Sequence, residues 1–275
     1  MSRRPPLGQH FLRDPKLLTQ IVDALEPTPG DVVVEIGAGQ GALTVVLAPR
    51  VQRVIAIERD RRLANDCGLR IADCGFRNVA VVAGDALKLN WPALIEPRLA
   101  NPQSTIANPQ FKVVGNIPYA ITSPLIDKAL TPPLPERIVF LMQREVADRL
   151  AAPPGSRAYG ALSVGVQATC RVERLLTVRA GAFHPAPRVA SALVRLTPRP
   201  DPVVSPAEAP AFRAFVTACF TRRRKQLRNV VIAATGRPAA AVLAGLGQLG
   251  LDPTARPETL APEQFARLLR WGRGL

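Results

Sequence analysis

Asn116-Ile117-Pro118-Tyr119 is the string in this 275-residue chain whose residue types are best suited to chemistry. A carboxamide oxygen at Asn116 and the backbone carbonyl of Ile117 can accept both hydrogens of an exocyclic amine. Such an amine on adenine is a poor nucleophile because its lone pair is delocalised into the ring. Gripping both N–H groups pulls the nitrogen towards tetrahedral geometry and localises that pair. Pro118 fixes the backbone so that the carbonyl is held inward, and Tyr119 offers a stacking face for the base. An in-line displacement by this nitrogen relies on positioning and desolvation, and needs no strong general base. Alone, the string is as readily an ordinary loop.

Its neighbours in sequence narrow the choice. Glu35-Ile36-Gly37-Ala38-Gly39-Gln40-Gly41 follows a β-branched run and precedes a helical pattern. Glycines suit a sharp turn whose backbone must approach a ligand closely. Glu58 comes 21 residues after Gly37 and closes the next apolar run, where a carboxylate can accept both hydroxyls of a ribose. Gly84-Asp85 closes a third. The spacing is G-x-G-x-G, so the dinucleotide fingerprint is not met, and no phosphate loop of the form G-x-x-x-x-G-K-[ST] occurs. Glu35 would repel a pyrophosphate but can orient the ammonium of an amino-acid ligand. The combination favours S-adenosylmethionine over NAD or ATP, with Gly37, Gly39, Glu58 and Asp85 as candidate cofactor contacts.

These residues need a scaffold, and the chain predicts one. Short apolar runs at Val32–Ile36, 51–58, 79–82, 111–114 and 137–141 alternate with helical stretches, the signature of parallel βαβ units. The expected fold class is α/β: a Rossmann-like, doubly wound sheet with a small all-α C-terminal domain. Two more β-rich stretches, 168–178 and 189–196, are expected to pair antiparallel at one edge. Residues 198–210 hold five prolines and read as a linker, and the pattern afterwards is helical. Ser205-Pro206-Ala207-Glu208 has the form of a capping box. Phe212, Phe215, Val216 and Phe220 recur at helical spacing, and further helices fit 238–249 and 262–271. The domains are therefore set at 1–200 and 201–275.

Composition sets outer bounds. With 47% apolar residues the chain can bury a sizeable core. No apolar run reaches the length of a membrane span, and Arg3-Arg4 is followed by Gly8-Gln9-His10 rather than a secretory h-region. A cytoplasmic protein with no membrane partner is expected. The four cysteines form no CxxC pair and there are two histidines, so no metal is expected. A net charge of +15 favours a polyanionic partner, although 31 of the 36 basic residues are Arg and compositional bias is the competing explanation. Residues 201–275 carry 11 Lys+Arg against 5 Asp+Glu, and Arg222, Arg223, Arg224, Lys225 and Arg228 fall within eight residues of one another. A charge run is more usually a solvated helix face.

Taken in order, Gly8-Gln9-His10-Phe11-Leu12, Glu35 to Gly39, Glu58, Gly84-Asp85-Ala86 and Asn116 to Tyr119 resemble the ribosomal RNA adenine N6-dimethyltransferases. So do Gln143-Arg144-Glu145-Val146-Ala147, Tyr159-Gly160 and Phe183-His184-Pro185. The resemblance runs from about residue 7 to the C-terminus. It implies cofactor contacts from His10, Leu12, Gly37, Glu58, Asp85 and Asn116, with His10 against the methionine end and Asp85 on the adenine N6. It also implies that Phe183 faces Tyr119 across a flipped adenine, although a lone Phe is more often core than stacking platform. Two branches share these motifs. The stretch 251–260 looks like the branch that dimethylates two adjacent adenosines near the 3′ end of 16S rRNA late in small-subunit assembly. The other methylates 23S rRNA and confers macrolide resistance. A non-catalytic assembly factor and a DNA adenine methyltransferase are the remaining alternatives, the latter lacking a segment for duplex readout. The expected partner is 16S rRNA within an immature small subunit, met by a monomer, with the basic run holding phosphates. Arg188 and Ala190 stand where the family commonly has Lys and Asp.

Overall fold

A computed structural model describes residues 10–99 and 111–274, without the side chains of 96–99; Gly8 and Gln9 lie outside the described residues. The chain forms two compact units, Met1–Ala147 with Glu173–Thr197, and Asp148–Val172 with Pro198–Leu275. The elements in chain order are β1 (Phe11–Leu12), α1 (Pro15–Ala24), β2 (Val32–Ile36), α2 (Ala42–Leu47), β3 (Arg53–Glu58), α3 (Arg61–Asp73), β4 (Val79–Ala83), α4 (Trp91–Leu99) and β5 (Phe111–Asn116). They continue with α5 (Thr122–Ala129), β6 (Arg137–Gln143), α6 (Arg144–Leu150), α7 (Ala161–Gln167), β7 (Cys170–Val178), β8 (Phe183–His184) and β9 (Ser191–Pro198). The last four are α8 (Ala209–Thr221), α9 (Leu227–Thr235), α10 (Ala239–Gln248) and α11 (Pro262–Arg273).

Seven strands form one sheet in the order β4-β3-β2-β5-β6-β9-β7. β2 pairs in parallel with both β3 and β5, β4 extends the β3 side, and β6 extends the β5 side. β9 joins antiparallel to β6. The chain order therefore reverses between β2 and β5, the point at which open α/β sheets leave a crevice beyond their strand ends. All five residues of β2 are buried, as a strand covered on both faces requires. Leu18, Ile21 and Val22 of α1, Leu43 and Leu47 of α2 and Cys67 and Ile71 of α3 share a core with Val33, Val54, Ala56, Val114 and Val139. α1 and α3 start at side-chain caps: Asp14 accepts from Lys16 N, and Asp60 from Arg62 N.

The end of the sheet away from the crevice is tied by ions. Lys112 at the start of β5 donates to Asp31 Oδ2 at 2.8 Å and to the Glu26 carbonyl at 2.7 Å. Arg195 bridges Glu173 and Glu26, and Arg137 also pairs with Glu26.

The cut expected at residue 200 is corrected. Residues 148–172 pack with the C-terminal helices: Tyr159, fully buried, donates its hydroxyl to the Leu260 carbonyl at 2.9 Å, and Gly155 N–H donates to the Glu258 carbonyl. Ala152, Tyr159, Val164 and Ala168 share a core with Phe212, Val216, Leu227, Leu246 and Phe265. The capping box forms as expected, Ser205 N donating to Glu208 Oε2 at 3.0 Å and Glu208 N to Ser205 Oγ at 3.2 Å, but the α-helix begins one turn later, at Ala209. Glu208 also accepts from Arg270, whose bond chiefly holds its carboxyl down to about 2. Gly245 is required for packing, since a Cβ there would lie 2.1 Å from the Trp271 ring.

Candidate active site

The loop after β2 carries three left-handed glycines, Gly37 at φ +73°, Gly39 at +57° and Gly41 at +78°. Side chains rarely adopt that region, and space is also short. A Cβ on Gly39 would meet the Phe11 ring at 3.2 Å, and one on Gly41 would meet Cys67 Sγ at 3.0 Å. Gly115 lets β5 lie close to β2, because a Cβ there would sit 2.5 Å from the Ile36 carbonyl oxygen.

A cavity of about 190 Å3 opens beyond β2, β3 and β5, lined by His10, Gly37, Gly39, Glu58, Asp85 and all four residues of Asn116 to Tyr119. Every one of these was singled out from the sequence. Glu58 is 4% exposed and accepts Gly39 N–H on Oε2 and Asp60 N–H on Oε1, both at 2.9 Å. Each oxygen keeps a lone pair for a further donor. Asp85 accepts Leu87 N–H on Oδ1 at 3.0 Å, and Arg59 stands 4.0 Å from its Oδ2. Arg59, Phe11, Ile57 and Ile121 also line the cavity. The sequence marked Phe11 only within the Gly8 to Leu12 string, and it did not mark Arg59, Ile57 or Ile121 as site residues.

Asn116 donates its Nδ2 to the His10 carbonyl at 2.8 Å. That bond fixes the orientation of the amide and leaves Oδ1 as its acceptor end. Ile117 is buried, its N–H donates to Leu141 O at 2.9 Å, and its carbonyl lies outside the turn that Ile121 N–H closes on Pro118 O. His10 Nδ1 donates to the Pro185 carbonyl at 2.7 Å; a carbonyl only accepts, so Nδ1 carries the hydrogen. The His10 and Tyr119 rings lie 5.8 Å apart at 36°, and the Tyr119 hydroxyl shares a 2.8 Å bond with Ser191 Oγ. Burial pushes the Tyr119 phenol up.

Glu35 does not line this cavity. It is 1% exposed and faces an adjacent space of about 510 Å3 that shares Phe11, Gly37, Gly39 and Asn116 as a wall. Thr44 donates to its Oε2 at 2.6 Å, and burial, aided by the charge of Glu58, raises its carboxyl to about 7. Leu12 is buried and faces the same space. Phe183 is buried in the sheet core with Leu12 and Val178, it does not line the cavity beside Tyr119, and its strand β8 pairs antiparallel with β1. The pairing sets Leu12 opposite Phe183.

Arg222 to Lys225 occupy the turn between α8 and α9, and Arg228 lies in the first turn of α9. Arg222, Arg224, Lys225 and Arg228 are exposed. Arg223 is half-buried and donates to Glu258 and to the Arg157 carbonyl. Among the described residues no His/Cys/Asp/Glu group could hold a metal, and no single helix is long and apolar enough to cross a membrane.

A mostly parallel sheet with a left-handed glycine loop after β2, a carboxylate closing β3 and an amide-proline-aromatic turn after β5 defines a Rossmann-like methyltransferase. Residues 1–271 match the ribosomal RNA adenine dimethylase family, and the chain belongs to that family. It is 38% identical over 272 residues to the ribosomal RNA small subunit methyltransferase A of Pediococcus pentosaceus, covering 98% of this chain and 89% of that one. Its identity to the protein of the same name from Moorella thermoacetica is 40% over 268 residues, covering 97% and 91%. Among solved structures, a dimethyladenosine transferase from Plasmodium falciparum superposes with a TM-score of 0.79 at 28% identity, covering 94% of this chain and 96% of that one. The 23S rRNA methyltransferase ErmE superposes with a TM-score of 0.72 at 30% identity, covering 94% and 98%.

Proposed function

We propose that the protein transfers methyl groups from S-adenosylmethionine to N6 of two adjacent adenosines near the 3′ end of small-subunit rRNA, as a cytoplasmic step of subunit assembly. The observation that carries this reading is the Asn116–His10 bond, because it engages the amide nitrogen and so fixes Oδ1 as the acceptor end. The residues fit the cofactor. Gly37 and Gly39 supply backbone that a Cβ would obstruct, and each Glu58 oxygen keeps a lone pair for a ribose hydroxyl. On this reading Asp85 would accept from the adenine N6, and His10 would lie against the amino-acid end. When bound, S-adenosylmethionine supplies a methyl group made electrophilic by its sulfonium.

Asn116 Oδ1 and the Ile117 carbonyl take the two N6–H donors of the target base, which localises the nitrogen lone pair. Tyr119 stacks on the base and helps exclude water, and Pro118 holds the carbonyl in place. The second unit presents Arg222, Arg224, Lys225 and Arg228 to the RNA backbone, a contact that fixes position rather than sequence.

The test is transfer of labelled methyl to immature small subunits lacking the modification, followed by mapping of the labelled adenines. Two adjacent dimethylated adenosines near the 3′ end are expected, and folded protein with intact cofactor that labels no adenine would falsify the reading. A second reading, methylation of large-subunit RNA, draws on the likeness to ErmE; label confined to 23S RNA would select it.

A further inference from the structure

Ser191 opens β9 and is fully buried. A hydroxyl at that depth costs stability unless it is bonded, and its partner is the phenol oxygen of Tyr119, 2.8 Å away. Tyr119 is half-buried, lines the cavity, and belongs to the 3₁₀ turn Tyr119–Ile121. Its backbone is held within that turn, where Thr122 Oγ1 donates to the Tyr119 carbonyl at 3.3 Å, but the bond to Ser191 is what ties the far end of its side chain to the sheet. The second ring beside the cavity, His10, is held by the carbonyl of Pro185. Both restraints come from one stretch of chain, 185–191, which runs from the end of β8 to the first residue of β9. Ser191 itself lies opposite Gln143 of β6, so it is anchored in the sheet while its partner sits in a loop.

We propose that Ser191 is a positioning residue for methyl transfer: through its hydroxyl it sets the plane of the Tyr119 ring against the target base. The inference rests on the reading of the site given above. It gives Ser191 no contact with cofactor or substrate, so cofactor affinity is independent of it, whereas turnover depends on it only while Tyr119 keeps its hydroxyl.

The experiment is a double-mutant cycle on the full chain, measuring kcat on immature small subunits and the dissociation constant of S-adenosylmethionine for wild type, Ser191→Ala, Tyr119→Phe and the double variant. Each single variant is expected to lower kcat roughly 3- to 10-fold, the range set by loss of one hydrogen bond, with cofactor affinity unchanged. The double variant is expected to be no slower than the slower single one. Multiplicative losses, or wild-type kcat in Ser191→Ala, overturn the proposal; a general loss of packing would not produce the non-additivity. Should Ser191→Ala fail to fold, Tyr119→Phe deletes the same bond from the cavity side: a 3- to 10-fold lower kcat supports the proposal and wild-type kcat overturns it. Wild-type protein that methylates no adenine breaks the functional reading instead, before the cycle begins.

Discussion

The two ends of the central sheet use charge in opposite ways. At the amino ends of β2, β5 and β6, charged side chains satisfy one another: Lys112 with Asp31, Arg137 and Arg195 with Glu26, and Arg195 with Glu173. At the carboxyl ends of β2, β3 and β5, Glu58 and Asn116 are held by main-chain groups, and Asp85 caps its own loop. Side chains paired with each other have their charge already matched. Side chains fixed by backbone N–H or C=O groups are immobilised and still have a lone pair to offer. Rigidity at one end is closed, and at the other it is preorganised for a ligand. The pKa shifts follow the same division. Arg137 chiefly holds the Glu26 carboxyl low, whereas burial raises Glu35 beneath the glycine loop to about 7.

Replacing residues at each end should separate stability from activity. Lys112→Ala strands Asp31 without its partner at a buried position and is expected to cost about 3–5 kcal/mol of stability. Cofactor affinity of the folded fraction should not change; denaturant titration and calorimetric binding check both. Asn116→Ala should do the converse, lowering kcat about 10²–10³-fold, by analogy with the loss of one preorganised polar contact to a transition state. Its melting temperature should stay near wild type. Activity loss in the first variant at full folding, or unfolding in the second, would erase the contrast.

Protons probe the same division more gently. Glu35 has its folded pKa raised from 4.5 to about 7, so the folded state binds the extra proton and its contribution favours folding below about 4.5. As pH rises from there to about 7, stability should fall by roughly 3 kcal/mol, and Glu35→Gln should flatten that slope. Asp31, lowered from 3.8, has the opposite sign: its contribution is present above its usual pKa and is lost as pH falls through the lower folded value. Paired stability curves for Glu35→Gln and Asp31→Asn against wild type resolve the two windows. The smallest expected effect is Gly39→Ala. The left-handed φ costs about 1–2 kcal/mol, and the Phe11 ring must shift; weaker cofactor binding by a factor of roughly 10 is the readout.

Glu58, Asp85 and Asn116 were legible in the sequence because each sits at or just after a strand end, and a strand end can be read from a single local run. Gly37, Gly39, Glu58, Asp85 and the turn after β5 needed no knowledge of distant contacts. Phe183 needed such knowledge. Its side chain faces the core because β8 pairs with β1, and two-residue strands about 170 positions apart leave no periodic signal. Arg223 likewise sits in a run of like charges, yet its partner Glu258 comes 35 residues later. The cut near residue 200 followed the prolines, whereas the core followed Tyr159, whose hydroxyl reaches Leu260.

Local patterning by itself determined the alternation of strand and helix, the glycine turn and the identity of the acceptor groups, because backbone sterics and hydrophobic periodicity act over a few neighbouring residues. Only the tertiary structure decided which way each acceptor points. The Asn116 amide is oriented by the carbonyl of His10, the His10 ring by Pro185, and the Tyr119 ring by Ser191. Hydrogen bonds have a short reach and a strict direction, so groups far apart in the chain can orient one another only after folding has brought them within about 3 Å.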